Sequence, residues 1–276
     1  MPDQGTMTAT AGAVTSKDGT RIAVDRHGTA PASLVLVGGA FTDRQGLTPL
    51  AQALAPYFSV YPYDRRGRGG SGDTAPYAVE REVEDLAAVI EEAGGAQTRV
   101  FGHSSGAALA LRAVAEGVAV GGLVLYEPPF IVDGERRAIP SNFSLRQAEL
   151  VAADRRDDAV AQWMAHTVQL PEDAIAGMRR SPMWPALVAM AHTTVYDLAI
   201  MSGTMSGNPL PEEWSTAVTV PTLVIVGGKS EAWIHNSTQA LTDLLPDARR
   251  RILPDADHGA DPATLVPVLR EFFAAS

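Results

Sequence analysis

A serine stands at the centre of residues 102–106, whose sequence GHSSG fits the pattern G-x-S-x-G. The segment follows an apolar pair at residues 100–101 and precedes an alanine-rich run at residues 107–110, an order typical of a strand, a tight turn and a helix. A serine on such a turn presents its hydroxyl group, and small neighbours allow the strained backbone and the following helix to pack against the sheet. The pattern predicts Ser104 as a nucleophile, whereas Ser105 does not occupy the central position.

A serine hydroxyl group becomes an effective nucleophile only when a base accepts its proton, so the chain must also supply a base. His258 lies in the loop at residues 254–259, after the last predicted strand at residues 251–253 and before the last predicted helix. This position predicts His258 as the general base. We interpret four other histidines as structural or surface residues: His103, His166, His192 and His235.

A catalytic histidine needs a carboxylate partner that holds its tautomer and stabilises its charged form. Glu127 directly follows the apolar segment at residues 123–126, and two prolines after it end that strand. Glu231 comes a few residues after the strand predicted to end at Val226. Both glutamates are candidates, and the position at a strand end favours Glu127.

An acyl-transfer site also needs hydrogen-bond donors for the oxygen atom that becomes negatively charged. The backbone amide of Ser105, directly after the predicted nucleophile, is one expected donor. The second is expected from the loop GGAF at residues 38–41, where Ala40 is the first choice and Phe41 the next. The arginine-rich segment at residues 64–72 lacks the G-K-[ST] ending of a phosphate-binding loop, and we interpret it as a structural turn.

The elements that must position these residues follow from the alternation of short apolar segments with helical patterns, which indicates β-α-β units and a parallel sheet. Pro62 cannot donate a backbone hydrogen bond, so we expect it near the end of its strand or at an irregularity. The predicted buried strands cover residues 34–37, 59–63, 100–101, 123–126 and 223–226.

Two helices are predicted from the spacing of apolar residues and from residues typical of helix ends. Apolar residues from Val79 to Ile90 recur at intervals of four, three and four, which places them on one face of a helix that Gly94 can end. Asp261 followed by Pro262 is typical of the start of a helix, and apolar residues recur behind it.

Residues 130–214 show helical patterns without an obvious strand. We interpret them as a helical cap inserted into a core formed by residues 1–129 and 215–276. Six of the eight methionines lie in this cap, together with Trp163 and Trp184. These adaptable apolar side chains either form the interior of the cap itself or line a pocket for an apolar substrate.

The composition of the chain argues against several classes of function. The formal net charge of −10 argues against a broad basic surface for nucleic acid, and the absence of cysteine excludes disulfides, thiolate catalysis and cysteine-ligated metals. Residues 1–6 do not resemble a secretory signal, and no segment reaches the roughly 20 apolar residues of a membrane helix. We expect a cytoplasmic enzyme that acts on a small molecule without a cofactor, metal or membrane, with a homodimer as an open alternative to a monomer.

Residues 38–41, the sequence DRRG at 64–67, the Ser104 turn, the cap and His258 together resemble the α/β-hydrolase superfamily along nearly the whole chain. The resemblance implies an α/β fold, with a mostly parallel sheet, helices on both faces and an inserted helical cap. Dehalogenases and epoxide hydrolases of this fold use an aspartate nucleophile, and Ser104 argues against both. One departure is Gly38, where many members have histidine.

An acid after the strand that precedes the cap resembles the arrangement in fungal zearalenone lactonases and some haloalkane dehalogenases. The lactonases use Ser, Glu and His and place a cap tryptophan over the substrate, for which Trp184 is the match. With Trp184 we assign Met183 and Phe41 to substrate binding. The prediction is a serine hydrolase that cleaves an ester or lactone of an apolar small molecule through an acyl-enzyme. Cleavage of a C–C bond in a diketone and a non-hydrolytic role in ligand binding or cyclisation are the alternatives.

Overall fold

A computed structural model describes residues 9–136, 139–259 and 261–274. Residues 1–6, on which the expectation of no secretory signal rests, lie outside this part of the chain. In the part described, no helix is long and apolar enough to cross a membrane.

The strands form two sheets. An antiparallel pair consists of β1 (Thr10–Thr15) and β2 (Arg21–Arg26). The main sheet consists of β3 (Ser33–Val37), β4 (Ser59–Pro62), β5 (Arg99–His103), β6 (Gly122–Tyr126), β7 (Thr222–Gly227) and β8 (Ala248–Leu253). Its order is β4-β3-β5-β6-β7-β8, and all neighbouring strands are parallel, which confirms the predicted sheet. Pro62 is the last residue of the edge strand β4, where its missing N–H group costs no ladder bond.

The sequence patterns did not predict β1 and β2. Most residues of β1 are exposed, so no apolar segment marks the strand. Isolated bridges between Val24 and Tyr63 and between His27 and Val60 join the end of β2 to the region of β4. The antiparallel pair therefore continues the structure beyond the edge of the main sheet.

The helices, numbered in chain order, are α1 (Arg44–Leu54), α2 (Val79–Ala93), α3 (Ser105–Ala115), α4 (Phe143–Ala152), α5 (Arg156–His166), α6 (Glu172–Arg179), α7 (Trp184–Met190), α8 (Thr194–Ile200), α9 (Trp214–Ala217), α10 (Ala232–Leu244) and α11 (Pro262–Ala274). Gly94 follows α2 with a φ of 125°, which glycine adopts at low cost, and it ends the helix as predicted. At α11, the Asp261 side chain accepts a hydrogen bond from the Ala263 amide at 2.8 Å, as expected for a cap.

Two apolar clusters cover the two faces of the main sheet. One contains side chains of α1 and α11, which pack on Leu34, Leu36 and Phe101. The other contains side chains of α2, α3 and α10, which pack on Val35 and Val100. Alternate residues of the central strands thus point to opposite faces, and both faces are buried there, as the continuous apolar segments of these strands require.

Among the described residues, the chain between β6 and β7 forms helices α4 to α9 and no strand, and this segment is called the cap below. The exact boundaries at residues 129 and 215 remain a prediction, and α9 spans the second of them. The carboxyl ends of β3, β5, β6 and β7 meet at one edge of the sheet. Ser104 directly follows β5, Glu127 directly follows β6, and the loop at residues 38–41 directly follows β3. His258 lies in the loop between β8 and α11.

Candidate active site

Ser104 lies on a sharp turn between β5 and α3. Its φ of 56° and ψ of −125° are strained for a residue with a side chain, which is the conformation expected at such a turn. The flanking glycines are needed for space: a Cβ atom at residue 106 would lie 2.4 Å from the Val37 carbonyl oxygen, and one at residue 102 would lie 2.6 Å from the Ala107 Cα. The small residues of the GHSSG segment therefore allow α3 to start against the sheet.

Glu127 and His258 are in direct contact and are called the glutamate–histidine pair below. The His258 Nδ1–H group donates to Glu127 Oε2 at 2.6 Å. Glu127 Oε1 accepts hydrogen bonds from the Gly227 amide at 2.7 Å and from Ser230 Oγ at 2.5 Å. The Glu127 side chain is 0% exposed, whereas that of His258 is 51% exposed. The pair thus joins a buried carboxylate to an imidazole that is open to solvent.

Burial alone would raise the pKa of Glu127, because it penalises the charged carboxylate. Hydrogen bonds from His258, Ser230 and Gly227 outweigh burial and hold its pKa below the ordinary value. The carboxylate is therefore charged at neutral pH and can stabilise a positive charge on the imidazole. The alternative acid, Glu231, accepts a hydrogen bond from Trp233 Nε1 instead.

Two further residues hold the loop that carries His258, and sequence analysis did not find their role. His103 donates from Nε2 to the His258 carbonyl oxygen at 2.8 Å, and the two rings lie 4.7 Å apart between centroids. The Tyr126 hydroxyl group donates to the Asp257 carbonyl oxygen. His103 and Tyr126 are opposite each other on β5 and β6, so the ends of two central strands fix the position of the loop.

The pKa of His103 is lowered to about 4, first by burial and then by the nearby His258. The ring is therefore neutral at pH 7, and its Nε2–H tautomer matches the bond to the His258 carbonyl oxygen. Although we interpreted His103 as structural or surface from the sequence, its location next to Ser104 was the available signal for this contact.

The loop predicted to supply the second oxyanion donor passes beside Ser104. A Cβ atom at residue 39 would lie only 2.9 Å from the Ser104 Cβ, so this close approach requires glycine. Phe41 has a φ of 55°, which is uncommon for a bulky residue and marks a sharp turn. Ala40 lies between these two residues, and Ser105 is the first residue of α3 on the other side of the nucleophile.

The residues assigned to substrate binding lie in different surroundings. The Phe41 ring meets the edge of Trp163, with centroids 6.0 Å apart and planes at 89°. Trp184 is 5% exposed and donates from Nε1 to Asp157 at 2.6 Å, a contact within the cap. Met183 is 71% exposed. Of the two cap tryptophans named from the sequence, Trp163 is the one in contact with the loop beside Ser104.

The arginine-rich segment forms turns, as its interpretation as a structural turn predicts, and its arginines are buried. Arg65, Arg68, Glu82 and Asp197, called the buried ion cluster below, are each at most 1% exposed. Arg65 pairs with Glu82 at 2.7 Å, and Asp197 of α8 binds both arginines. Asp197 was not found from the sequence, because nothing near it in the chain indicates a partner that lies 129 and 132 residues away.

In the part of the chain that the structure describes, no group of three or more histidine, aspartate or glutamate residues is arranged to hold a metal ion.

A sequence model of the alpha/beta hydrolase family matches residues 34–268. The chain is 28% identical over 260 residues to N-formylmaleamate deformylase of Pseudomonas putida, and the match covers 91% of each chain. The fold is similar to the crystal structure of an alpha/beta hydrolase from Sphaerobacter thermophilus, with 48% identity, a TM-score of 0.88, and coverage of 95% of this chain and 100% of that one. An esterase from a Rhodococcus species has a TM-score of 0.66 at 22% identity over 96% of this chain and 98% of that one, a similarity of fold alone.

Proposed function

This chain belongs to the alpha/beta hydrolase family, and on that premise we propose that it is a serine hydrolase that cleaves an ester or lactone of an apolar small molecule through an acyl-enzyme. The observation that carries the proposal is the glutamate–histidine pair, a buried and charged carboxylate 2.6 Å from the imidazole of His258. The pair lies beside the strained turn of Ser104, because the His258 ring packs on His103.

In the proposed reaction, Ser104 Oγ attacks the carbonyl carbon of the substrate while His258 accepts the hydroxyl proton. Glu127 holds the Nδ1–H tautomer, which leaves Nε2 free to accept that proton, and stabilises the resulting imidazolium. The backbone amides of Ser105 and Ala40 donate to the oxyanion. His258 then gives the proton to the leaving alcohol, and water hydrolyses the acyl-enzyme by the same steps in reverse.

The preference for an apolar acyl group rests on the contact between the oxyanion loop and the cap. Phe41 and Trp163 form an edge-to-face pair, and Trp163 in turn packs against Phe143 with centroids 6.4 Å apart. Aromatic side chains of this kind bind apolar groups well and bury large areas. An apolar chain that leaves Ser104 toward the cap would meet this aromatic group.

A second candidate reaction is hydrolysis of an N-formyl amide. The relative from Pseudomonas putida is a deformylase, and its match covers 91% of both chains. Ser104 would attack the formyl carbon while His258 accepts its proton. His258 would then protonate a nitrogen leaving group in place of an oxygen. Release of formate distinguishes this reaction from the release of a larger acid.

The proposal is tested by assaying purified protein on p-nitrophenyl esters, lactones, N-formyl amides and diketones, with the Ser104→Ala variant as control. We expect turnover of esters or lactones, and a loss of at least about 10³-fold in kcat for Ser104→Ala with an unchanged circular dichroism spectrum. Formate release from N-formyl amides alone would favour the second candidate. Cleavage of diketones alone, or binding without turnover of any class, would contradict both.

A further inference from the structure

The buried ion cluster joins the cap to the core. Asp197 lies on α8 of the cap, and its two carboxylate oxygens accept hydrogen bonds from Arg65 Nη1 and Arg68 Nη2, both at 2.7 Å. Arg65 also forms a two-point contact with Glu82 on α2, at 2.7 and 3.0 Å. Two positive and two negative groups balance one another, so the cluster can be sealed from water without a net charge.

The arginines of this cluster also bind the backbone of the loop at residues 38–42. Arg68 Nη1 donates to the Gly39 carbonyl oxygen at 2.6 Å, and Arg65 Nη1 has a longer contact of 3.4 Å with the Gly38 carbonyl oxygen. The Gly39 carbonyl and the Ala40 N–H belong to one planar trans peptide group and point in opposite directions. By fixing the Gly39 oxygen, Arg68 therefore also fixes the direction of the Ala40 N–H, the proposed oxyanion donor.

Asp197 reaches the other proposed donor as well. Its Oδ1 accepts a hydrogen bond from Ser105 Oγ at 2.7 Å, and the backbone amide of Ser105 is the donor directly after the nucleophile. A single carboxylate from the cap thus contacts one donor residue through its side chain and is linked to the other through Arg68. All of these side chains are at most 1% exposed, so water does not compete for the contacts.

We propose that Asp197 is a positioning residue that sets the geometry of the oxyanion donors from the cap, with Arg68 as its link to Ala40. The inference rests on the proposed function, since it assigns a role toward the same oxyanion. Donors must lie within hydrogen-bond distance of the oxygen as charge develops, and loss of one donor costs about 10²- to 10³-fold in kcat. Displacement of both donors by a fraction of an ångström should therefore lower kcat without changing substrate binding.

The chain offers a matched control in a neighbouring ion pair. Arg66 binds both oxygens of Asp85 at 2.7 Å, and both side chains are at most 1% exposed. The remaining contacts of Arg66 are with Asp18 and the Arg81 carbonyl oxygen, away from the oxyanion loop. A variant of this pair therefore reports the cost of disturbing a buried ion pair without the proposed effect on the donors.

The first readout is ester hydrolysis by Arg68→Lys and Asp197→Asn, compared with Arg66→Lys and Asp85→Asn. Lysine keeps the charge but cannot bind Asp197, Gly39 and Thr193 at once, so Arg68→Lys tests the link even if Asp197→Asn fails to fold. We expect kcat to fall about 10- to 100-fold at nearly constant KM in the first two variants. The two control variants should lose thermal stability to a similar extent and keep kcat within about threefold.

The second readout is hydrogen–deuterium exchange of backbone amides in peptides that cover residues 38–42 and 103–107. Exchange should become faster in Arg68→Lys and Asp197→Asn but not in the controls. Equal exchange in all four variants, or a kcat that follows thermal stability alone, would overturn the inference. If the unmodified protein hydrolyses neither esters nor lactones, the proposed function fails, and the exchange measurement still decides whether Asp197 holds this loop.

Discussion

Glu127 and Asp197 are both completely buried carboxylates near Ser104, yet their partners differ in kind. Glu127 binds His258, whose side chain is 51% exposed, together with two neutral donors. Asp197 binds two guanidinium groups and a hydroxyl group, all sealed from water. Bonds to these partners lower the pKa of both carboxyl groups, although burial opposes the shift in each case.

The partners of the two carboxylates differ in whether they can exchange a proton near neutral pH. An imidazole gains and loses a proton near neutral pH, so a carboxylate beside it can hold its tautomer and stabilise its charged form during proton transfer. A guanidinium group stays charged at any ordinary pH, so a carboxylate between two of them can only hold positions. Burial of a carboxylate is therefore not by itself a sign of a catalytic role, and the chemistry of its partner separates the two cases.

The largest effect should come from Glu127, the proposed catalytic acid. Glu127→Gln removes the charge that holds the His258 tautomer and stabilises the imidazolium, which should cost up to about 10⁴-fold in kcat. Glu231→Gln should cost little, because Glu231 contacts Trp233 rather than His258. Ester hydrolysis by the two variants, with circular dichroism as a check on folding, decides between them. An inactive Glu231→Gln beside an active Glu127→Gln would reverse the assignment of the acid.

A smaller effect is expected in the cap, where two tryptophans can be compared. Trp163→Ala removes the partner of Phe41 and should raise KM for octanoate esters about tenfold more than for acetate esters. Trp184→Ala should mainly lower the free energy of unfolding, because that side chain is buried and bonded to Asp157. If Trp184→Ala gives the larger change in KM, the assignment made by resemblance to the lactonases is the better one.

The smallest effect is expected on the pH dependence of the free energy of unfolding, through His103. The native pKa of His103 is about 4, below the ordinary value of 6.5, so between these values the unfolded chain binds a proton that the folded chain does not. The free energy of unfolding should therefore fall as pH falls through this window. His103→Gln keeps an N–H donor for the His258 carbonyl oxygen but removes this titration. Urea denaturation at pH 7, 6 and 5 should show a shallower pH dependence in the variant, and equal slopes would argue against a neutral His103.

The positions that could be predicted from the sequence are those set by neighbours in the chain. Ser104 lies in a strand–turn–helix pattern, Glu127 directly follows a strand and precedes two prolines, and His258 precedes the last helix. The parallel sheet followed from apolar segments that are buried on both faces. In each case a local pattern and the topology of parallel strands were sufficient to predict where the residue or strand lies.

The contacts that could not be predicted join distant parts of the chain. Asp197 lies more than 90 residues from each of its partners, and a buried aspartate on a cap helix looks the same in sequence as a solvated one. The bonds of His103 and Tyr126 to the loop of His258 depend on how that loop folds over the sheet. The strand β1 was missed because its residues are mostly exposed and carry no apolar pattern.

Covalent labelling decides whether Ser104 is a nucleophile that the glutamate–histidine pair activates. The protein is treated with a fluorophosphonate, which reacts with activated serines, and the adduct is located by peptide mass spectrometry. We expect a single adduct on Ser104 that is absent from Ser104→Ala and forms much more slowly in Glu127→Gln. An adduct on Ser105, or labelling that persists in Ser104→Ala, would rule out this role for Ser104.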